Sequence, residues 1–133
     1  MVMVEISWKS FSEINPESKY LAQASLIERK SVWSFFSFLM QSRKVQGQLK
    51  TAKGLVGYSM RMEFFGKKGG VLSVWENESA LVDGFAHVGQ HSEAMKKFKP
   101  LMESYKVIKW EISGSDVPPK WEEALKKSQN PST

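Results

Sequence analysis

Two histidines and a few arginines carry most of the chemistry this sequence could perform. His87 and His91 stand four residues apart, so an unbroken helix would put both imidazoles on one face, where they could share a metal ion. No third ligand completes the set: Glu93 falls off that face, Asp83 belongs to the preceding segment, and Gly89 interrupts the run. A histidine bonded to backbone at a helix junction is the plainer reading, and no metal site is expected. His91 alone, heading a stripe with Met95 and Phe98, is the better handle, because imidazole exchanges protons near neutral pH and ligates iron. Arg43 ends a second stripe, Trp33, Phe36, Met40 and Arg43, spaced three and four apart. A guanidinium beside an aromatic wall can hold a carboxylate or enolate bidentately. His91 and Arg43 are therefore the candidate catalytic residues, with Trp33, Phe36, Met40, Tyr58, Met60, His87 and Met95 as candidate pocket walls. Plain packing would use the apolar members equally well, and an ion pair would use the arginine. Arg61 shares a strand face with Ser59 and Glu63, where an ion pair with Glu63 is the simpler role.

Other chemistries lack their residues. The chain has no cysteine, which removes disulfides, zinc–thiolate sites, iron–sulfur ligation and thiol nucleophiles. The glycines between Gly66 and Gly70 have the wrong spacing for a phosphate loop and lead into a strand. No serine sits in a nucleophile-elbow context.

The elements that must position these residues follow from periodicity. Residues 1–19 read as an arm, with Ile6, Trp8 and Phe11 to dock it and a turn at Asn15-Pro16. Tyr20 to Ile27 reads as a strand of small and apolar residues, suited to cover on both faces. Ser31 can cap a helix from Val32 to Ala52, apolar nearly all round in its first half, so its Trp33 face should meet the arm, a subunit or a ligand. Leu55 to Phe65 alternates as a second strand, with Val56, Tyr58, Met60, Met62 and Phe64 on one side. A hairpin leads to Val71–Trp75, Asn77 caps a short helix carrying Leu81, Val82 and Phe85, and a further helical piece carries His91 and Met95. Ser104 to Ser113 is the fourth strand, and Lys120 to Lys127 a tail helix burying Trp121 and Leu125. Trp33, Trp75 and Trp110 read as core, with Trp33 the exception to watch.

With 133 residues, 41% hydrophobic and 25% charged, the chain fits one globular domain. The expected division is an arm over 1–19, a domain over 20–113 and a tail over 114–133. The net charge of +5 comes from scattered lysines rather than a basic stripe, so a solvated surface is expected and nucleic acid is not. No apolar run approaches the roughly 20 residues of a membrane span, and Met1–Ile6 lacks the pattern of a secretory signal. A cytoplasmic protein with no membrane partner is expected.

Strand, helix, strand, turn, strand, helix, strand is the split βαβ order, which sets both helices on one face of a four-stranded antiparallel sheet. The other face would then need a partner, most economically a second copy about a two-fold axis. Gly54-Leu55-Val56-Gly57-Tyr58, the run Val71–Leu81, the stretch Phe85 to Met95 and the run Trp110–Pro119 resemble the dimeric α/β-barrel superfamily, in particular uncharacterised bacterial members related to antibiotic-biosynthesis monooxygenases. The resemblance spans about residues 20 to 125. It implies an α+β, ferredoxin-like βαββαβ fold pairing as a dimeric α/β barrel, with a pocket between sheet and helices. It further implies a monooxygenase-like homodimer acting on an apolar aromatic or polyene molecule, or a non-catalytic binding module. Among haem-degrading members a helix histidine works with a tryptophan and an asparagine. Those positions fall near Ala94, near Gly84, and near Gln23 or Ser25, so that set is absent. No cofactor is required by the sequence, and haem bound through His91 alone stays open.

Overall fold

The computed structural model describes residues 3–63, 66–88 and 99–129, with their side chains except at positions 32, 45 and 85–88. Among the described residues five strands and three α-helices follow in the order β1 (Met3–Ser10), β2 (Lys19–Arg29), α1 (Phe35–Leu49), β3 (Leu55–Glu63), β4 (Lys68–Trp75), α2 (Glu78–Val88), β5 (Met102–Ser113) and α3 (Trp121–Ser128). A 3₁₀ turn at Val32–Ser34 leads into α1. All pairings are antiparallel and the sheet order is β1-β3-β4-β2-β5. The four strands β3-β4-β2-β5, with α1 and α2 as connections, form the expected ferredoxin-like unit.

Three of the departures from expectation bear on the site. Residues expected only as an arm supply a fifth, edge strand: Met3 pairs with Glu63 and Ile6 with Met60. Val4, Ile6 and Trp8 alternate with Glu5, Ser7 and Lys9, the two-residue period of a strand. The strand β2 runs on through Arg29, whose amide donates to the Lys67 carbonyl at 2.7 Å. In β3 the register slips between Leu55 and Gly57, so Val56 shares a cluster with Ala22 and Val74, while Leu55, Tyr58 and Met60 pack together on the opposite side. Strict alternation, which grouped Val56 with Tyr58, fails across such a bulge.

One sheet face receives α1 and α2, through Leu49, Leu81, Trp75 and Tyr58. The other face was expected to await a partner. It is instead covered in large part by the chain itself: Trp8, Ile14 and Val117 pack on Ala22, Val56, Val74 and Ile112, and Ala124 and Trp121 of α3 pack on Ala24 and Leu72. Ala22, Ala24, Val56, Leu72 and Val74 are fully buried in the single chain. The tail helix buries Ala124 and half-buries Trp121, while Leu125, expected inside, is 38% exposed. A Cβ on Gly57 would stand 2.3 Å from the Trp8 indole.

The caps follow ordinary rules. Asn77 Oδ1 accepts from the Ala80 amide at 2.8 Å. Gly54, at φ 78°, turns the chain from α1 into β3, a conformation glycine adopts without steric cost. Gly47 is different: it sits in α1 with ordinary helical φ and open space around its Cβ position. Replacing it by alanine should stabilise the fold by about 0.5–1 kcal/mol. Thermal and urea unfolding of Gly47→Ala checks this, with no change expected in the far-ultraviolet spectrum.

Candidate functional site

A cleft lies between α1 and the helix-side face of the sheet. Val4 and Ile6 of β1, Ile27 and Arg29 of β2, Met60 and Met62 of β3 and Val71 of β4 form its floor, and Phe38, Leu39 and Ser42 of α1 its roof. It spans about 620 Å³ including its open mouth, of which about 60 Å³ admits the centre of a water-sized molecule. On that measure one water needs roughly 10–15 Å³, so the interior accepts a few waters or the leading edge of a ring. The surfaces facing it are almost wholly apolar.

Ser42, Arg61, Lys67 and Arg29 are its polar lining residues, and of these Arg29 alone is fully buried. It is 1% exposed, one of the largest fully buried side chains among the described residues. Its Nη2 donates to the carbonyls of Glu63 at 2.8 Å and Gly66 at 2.5 Å. The guanidinium carbon lies 5.5 Å from the Phe35 ring centre and 6.0 Å from that of Phe38. Burying a charge is costly unless it is bonded, and here carbonyl oxygens and aromatic faces replace water. Burial lowers the Arg29 pKa, and attraction to the Glu63 carboxylate opposes that shift. Arg29 thus ties the end of β2 to the β3–β4 hairpin and brings positive charge to an apolar cleft.

Further along this face the sheet turns polar. Gln23, Ser25 and Ser73 are buried there. The Trp75 indole donates to Ser73 Oγ at 3.0 Å, which supplies the partner a buried indole requires. The Tyr58 hydroxyl donates to Gln46 Oε1 at 3.3 Å, and its ring stacks on Phe11 at 5.7 Å. Burial raises the Tyr58 phenol above its ordinary value. Burial also raises Tyr105, against a smaller opposite effect of its hydrogen bond with Ser25.

The expected site residues are not brought together. Met60 lines the cleft, and Tyr58 lies fully buried beside it in the core. Trp33, Phe36 and Met40, expected as pocket walls, are 90%, 68% and 65% exposed on the outer side of α1. Arg43 is exposed on the same helix and absent from the cleft lining, so it has no access to a ligand there. The helix's other stripe, Phe35, Phe38 and Ser42, faces inward instead, with Phe38 and Ser42 on the cleft. Arg61 stacks its guanidinium 4.7 Å over the Trp121 ring on the opposite face of the sheet. His91 and Met95 lie outside the described residues, as does the side chain of His87 in α2. Arg29 was missed because its strand appeared to end at Ile27. The signal was the continued two-residue rhythm Gln23, Ser25, Ile27, Arg29 along one face. Among the described residues no cluster of metal-ligating side chains occurs and no helix is long and apolar enough to cross a membrane.

Neither a family model nor a curated protein sequence matches the chain. Solved structures do. A protein of unknown function from Nitrosomonas europaea superposes with a TM-score of 0.55 at 18% identity, covering 71% of this chain and 89% of that one. A dimeric ferredoxin-like protein from an uncultured marine organism gives 0.58 at 8% identity, with 74% and 91% covered. SnoaB, a cofactor-independent oxygenase from Streptomyces nogalater, gives 0.51 at 10% identity, with 77% and 98% covered. At these identities the likeness establishes the fold: an α+β, ferredoxin-like chain of the kind seen in dimeric α/β proteins, oxygenases among them.

Two outcomes test this geometry. Arg29→Ala should cost about 3 kcal/mol in urea unfolding, since it opens a cavity and strands bonded carbonyls, whereas Arg43→Ala and Arg61→Ala should each cost under about 1 kcal/mol. A buried phenol with a raised pKa keeps its proton longer in the folded than in the unfolded chain. Its contribution is therefore complete below pH 10 and is lost as pH rises through the folded pKa. Stability measured by denaturant titration should fall above pH 10, and Tyr58→Phe should flatten that fall.

Proposed function

We propose that this protein is an oxygenase-like small-molecule protein whose ligand, an apolar aromatic or polyene compound, enters the cleft between α1 and the sheet. The observation that carries this reading is a buried cation set in an otherwise apolar cleft. The apolar walls would order a flat ligand and exclude water. Arg29, rather than Arg43, would steady an enolate or carboxylate at the ligand's polar end. The likeness in fold to a cofactor-independent oxygenase supports the reaction class. A drug-sized ligand needs roughly 300–1,000 Å³, so it would sit partly in the open mouth. Haem bound through His91 is a separate reading, because His91 lies outside the described residues.

A second reading, a non-catalytic binding module, is favoured by the bonds that Arg29 makes to Glu63 and Gly66, which commit the guanidinium to holding the hairpin. In either reading the working unit is a homodimer, as the dimeric structural neighbour suggests. Oxygen uptake with a panel of aromatic phenols and polyenes, alongside equilibrium binding of the same compounds, separates the readings. Uptake that Met60→Trp lowers at least about tenfold, by filling the cleft, is the expected result. Binding blocked by Met60→Trp without uptake supports the module, and absence of both defeats the cleft as a site. Titration with hemin that leaves its Soret band unmoved removes haem.

A further inference from the structure

The largest exposed apolar surface among the described residues is the outer stripe of α1. Trp33 is 90% exposed, Phe36 68% and Met40 65%. The cleft described above does not use them. Phe36 already touches Phe35 edge-on at 5.4 Å, which holds its ring in place on the helix surface. Side chains three apart eclipse in a 3₁₀ turn, so Trp33, in the turn that leads into α1, continues the Phe36 row.

The stripe has a two-fold pattern. Counting from Phe38, Trp33 and Arg43 lie five residues either way, and Phe36 and Met40 two. An antiparallel pair of α1 helices, with its axis beside residue 38, therefore sets Phe36 against Met40 and Trp33 against Arg43 of a second copy, twice over. Ser37, small and exposed, falls next to that axis, where two helices approach most closely. Each indole face then receives a guanidinium.

Charge selects the direction. The inward and outward turns of α1 carry Arg43, Lys44 and Lys50 but no carboxylate. A parallel pair would stack these cations, whereas the antiparallel pair parts the two Arg43 positions by about 15 Å along the axis, beyond the roughly 8 Å screening length at physiological salt. Area agrees. Trp33, Phe36 and Met40 alone offer on the order of 450 Å² per protomer, so two copies hide on the order of 900 Å² before the helix flanks are counted, near the roughly 1,000 Å² that a specific interface needs.

We propose that the Trp33–Phe36–Met40–Arg43 stripe of α1 is the surface on which a second copy of this chain docks, antiparallel and about a two-fold axis. The proposal rests on the homodimer reading and names its surface, leaving the sheet face to Trp8 and α3. Sedimentation equilibrium of the full chain tests it. The native chain should form dimers at micromolar concentration. Met40→Glu and Phe36→Glu should each raise the dissociation constant at least about a hundredfold, because every substitution enters the interface twice. Both side chains are exposed, so circular dichroism should match the native chain, and melting should match that of the native chain diluted to the monomer. Arg43→Glu should weaken the dimer, and Arg43→Lys, which keeps a cation over the indole, should largely restore it. A native chain that stays monomeric at high micromolar concentration overturns the homodimer reading and the proposal together. A native dimer left intact by all three glutamate variants overturns the surface alone. Monomers that bind phosphatidylcholine vesicles through Trp33 assign the stripe to a bilayer and also overturn it.

Discussion

Cover on both faces of the β2–β4 pair is the constraint from which the rest of the structure follows. Ala22 and Ala24 of β2 and Leu72 and Val74 of β4 are fully buried on one side, while Gln23, Ser25, Ser73 and Trp75 are buried on the other. A sheet with two such faces needs two layers. The helix pair α1 and α2 provides one. Trp8 and Ile14 of the N-terminal segment and the C-terminal segment provide the other, and the alanines of β2 leave the depth that Trp110 and Trp121 fill. Deleting either end of the chain would expose a face that no other described element reaches.

The same constraint places the cleft. Helix α1 must lie over β3 and β4 to seal Leu55, Met60 and Trp75, yet its own inward residues Phe38 and Ser42 do not fill the corner where β1 joins the sheet. That corner is walled by Val4 and Ile6 from an edge strand and closed by Arg29 from the end of β2. Arg29 therefore has two duties. It satisfies the Glu63 and Gly66 carbonyls of the hairpin, and it keeps a positive charge at the bottom of an apolar space. A hydrophobic residue there could fill volume but would leave those carbonyls unbonded.

Covering the sheet from within one chain also redistributes apolar surface. With Trp8 and α3 on the inner face, the four most exposed large apolar side chains among the described residues, Trp33, Phe36, Met40 and Val82, lie on the outside of the helix layer. A small ferredoxin-like chain can thus present either a sheet or a helix face for assembly, depending on what its terminal segments cover. Fold likeness to a dimeric ferredoxin-like structure leaves that choice open, because the terminal segments lie outside the βαββαβ unit.

The amino-acid sequence by itself determined the order of elements. Alternation wrote β3 and β5, three-and-four spacing wrote α1, and Asn77 marked the start of α2, because these signals act between residues near one another in the chain. It also disclosed that α1 has two apolar stripes. Tertiary structure alone decided which stripe faces in. Two faces of similar hydrophobicity are separated only by what each meets, and Phe38 and Ser42 fit the cleft where Trp33 and Met40 do not. Nor could local pattern reveal that residues 3–10 pair with β3, sixty residues on, or that Arg29 is buried, since its burial depends on carbonyls of Glu63 and Gly66 brought to it by the hairpin. The histidines that first suggested chemistry lie where the structure describes no side chain. The arginine that now carries the candidate site emerged from long-range pairing, which no window of neighbouring residues encodes.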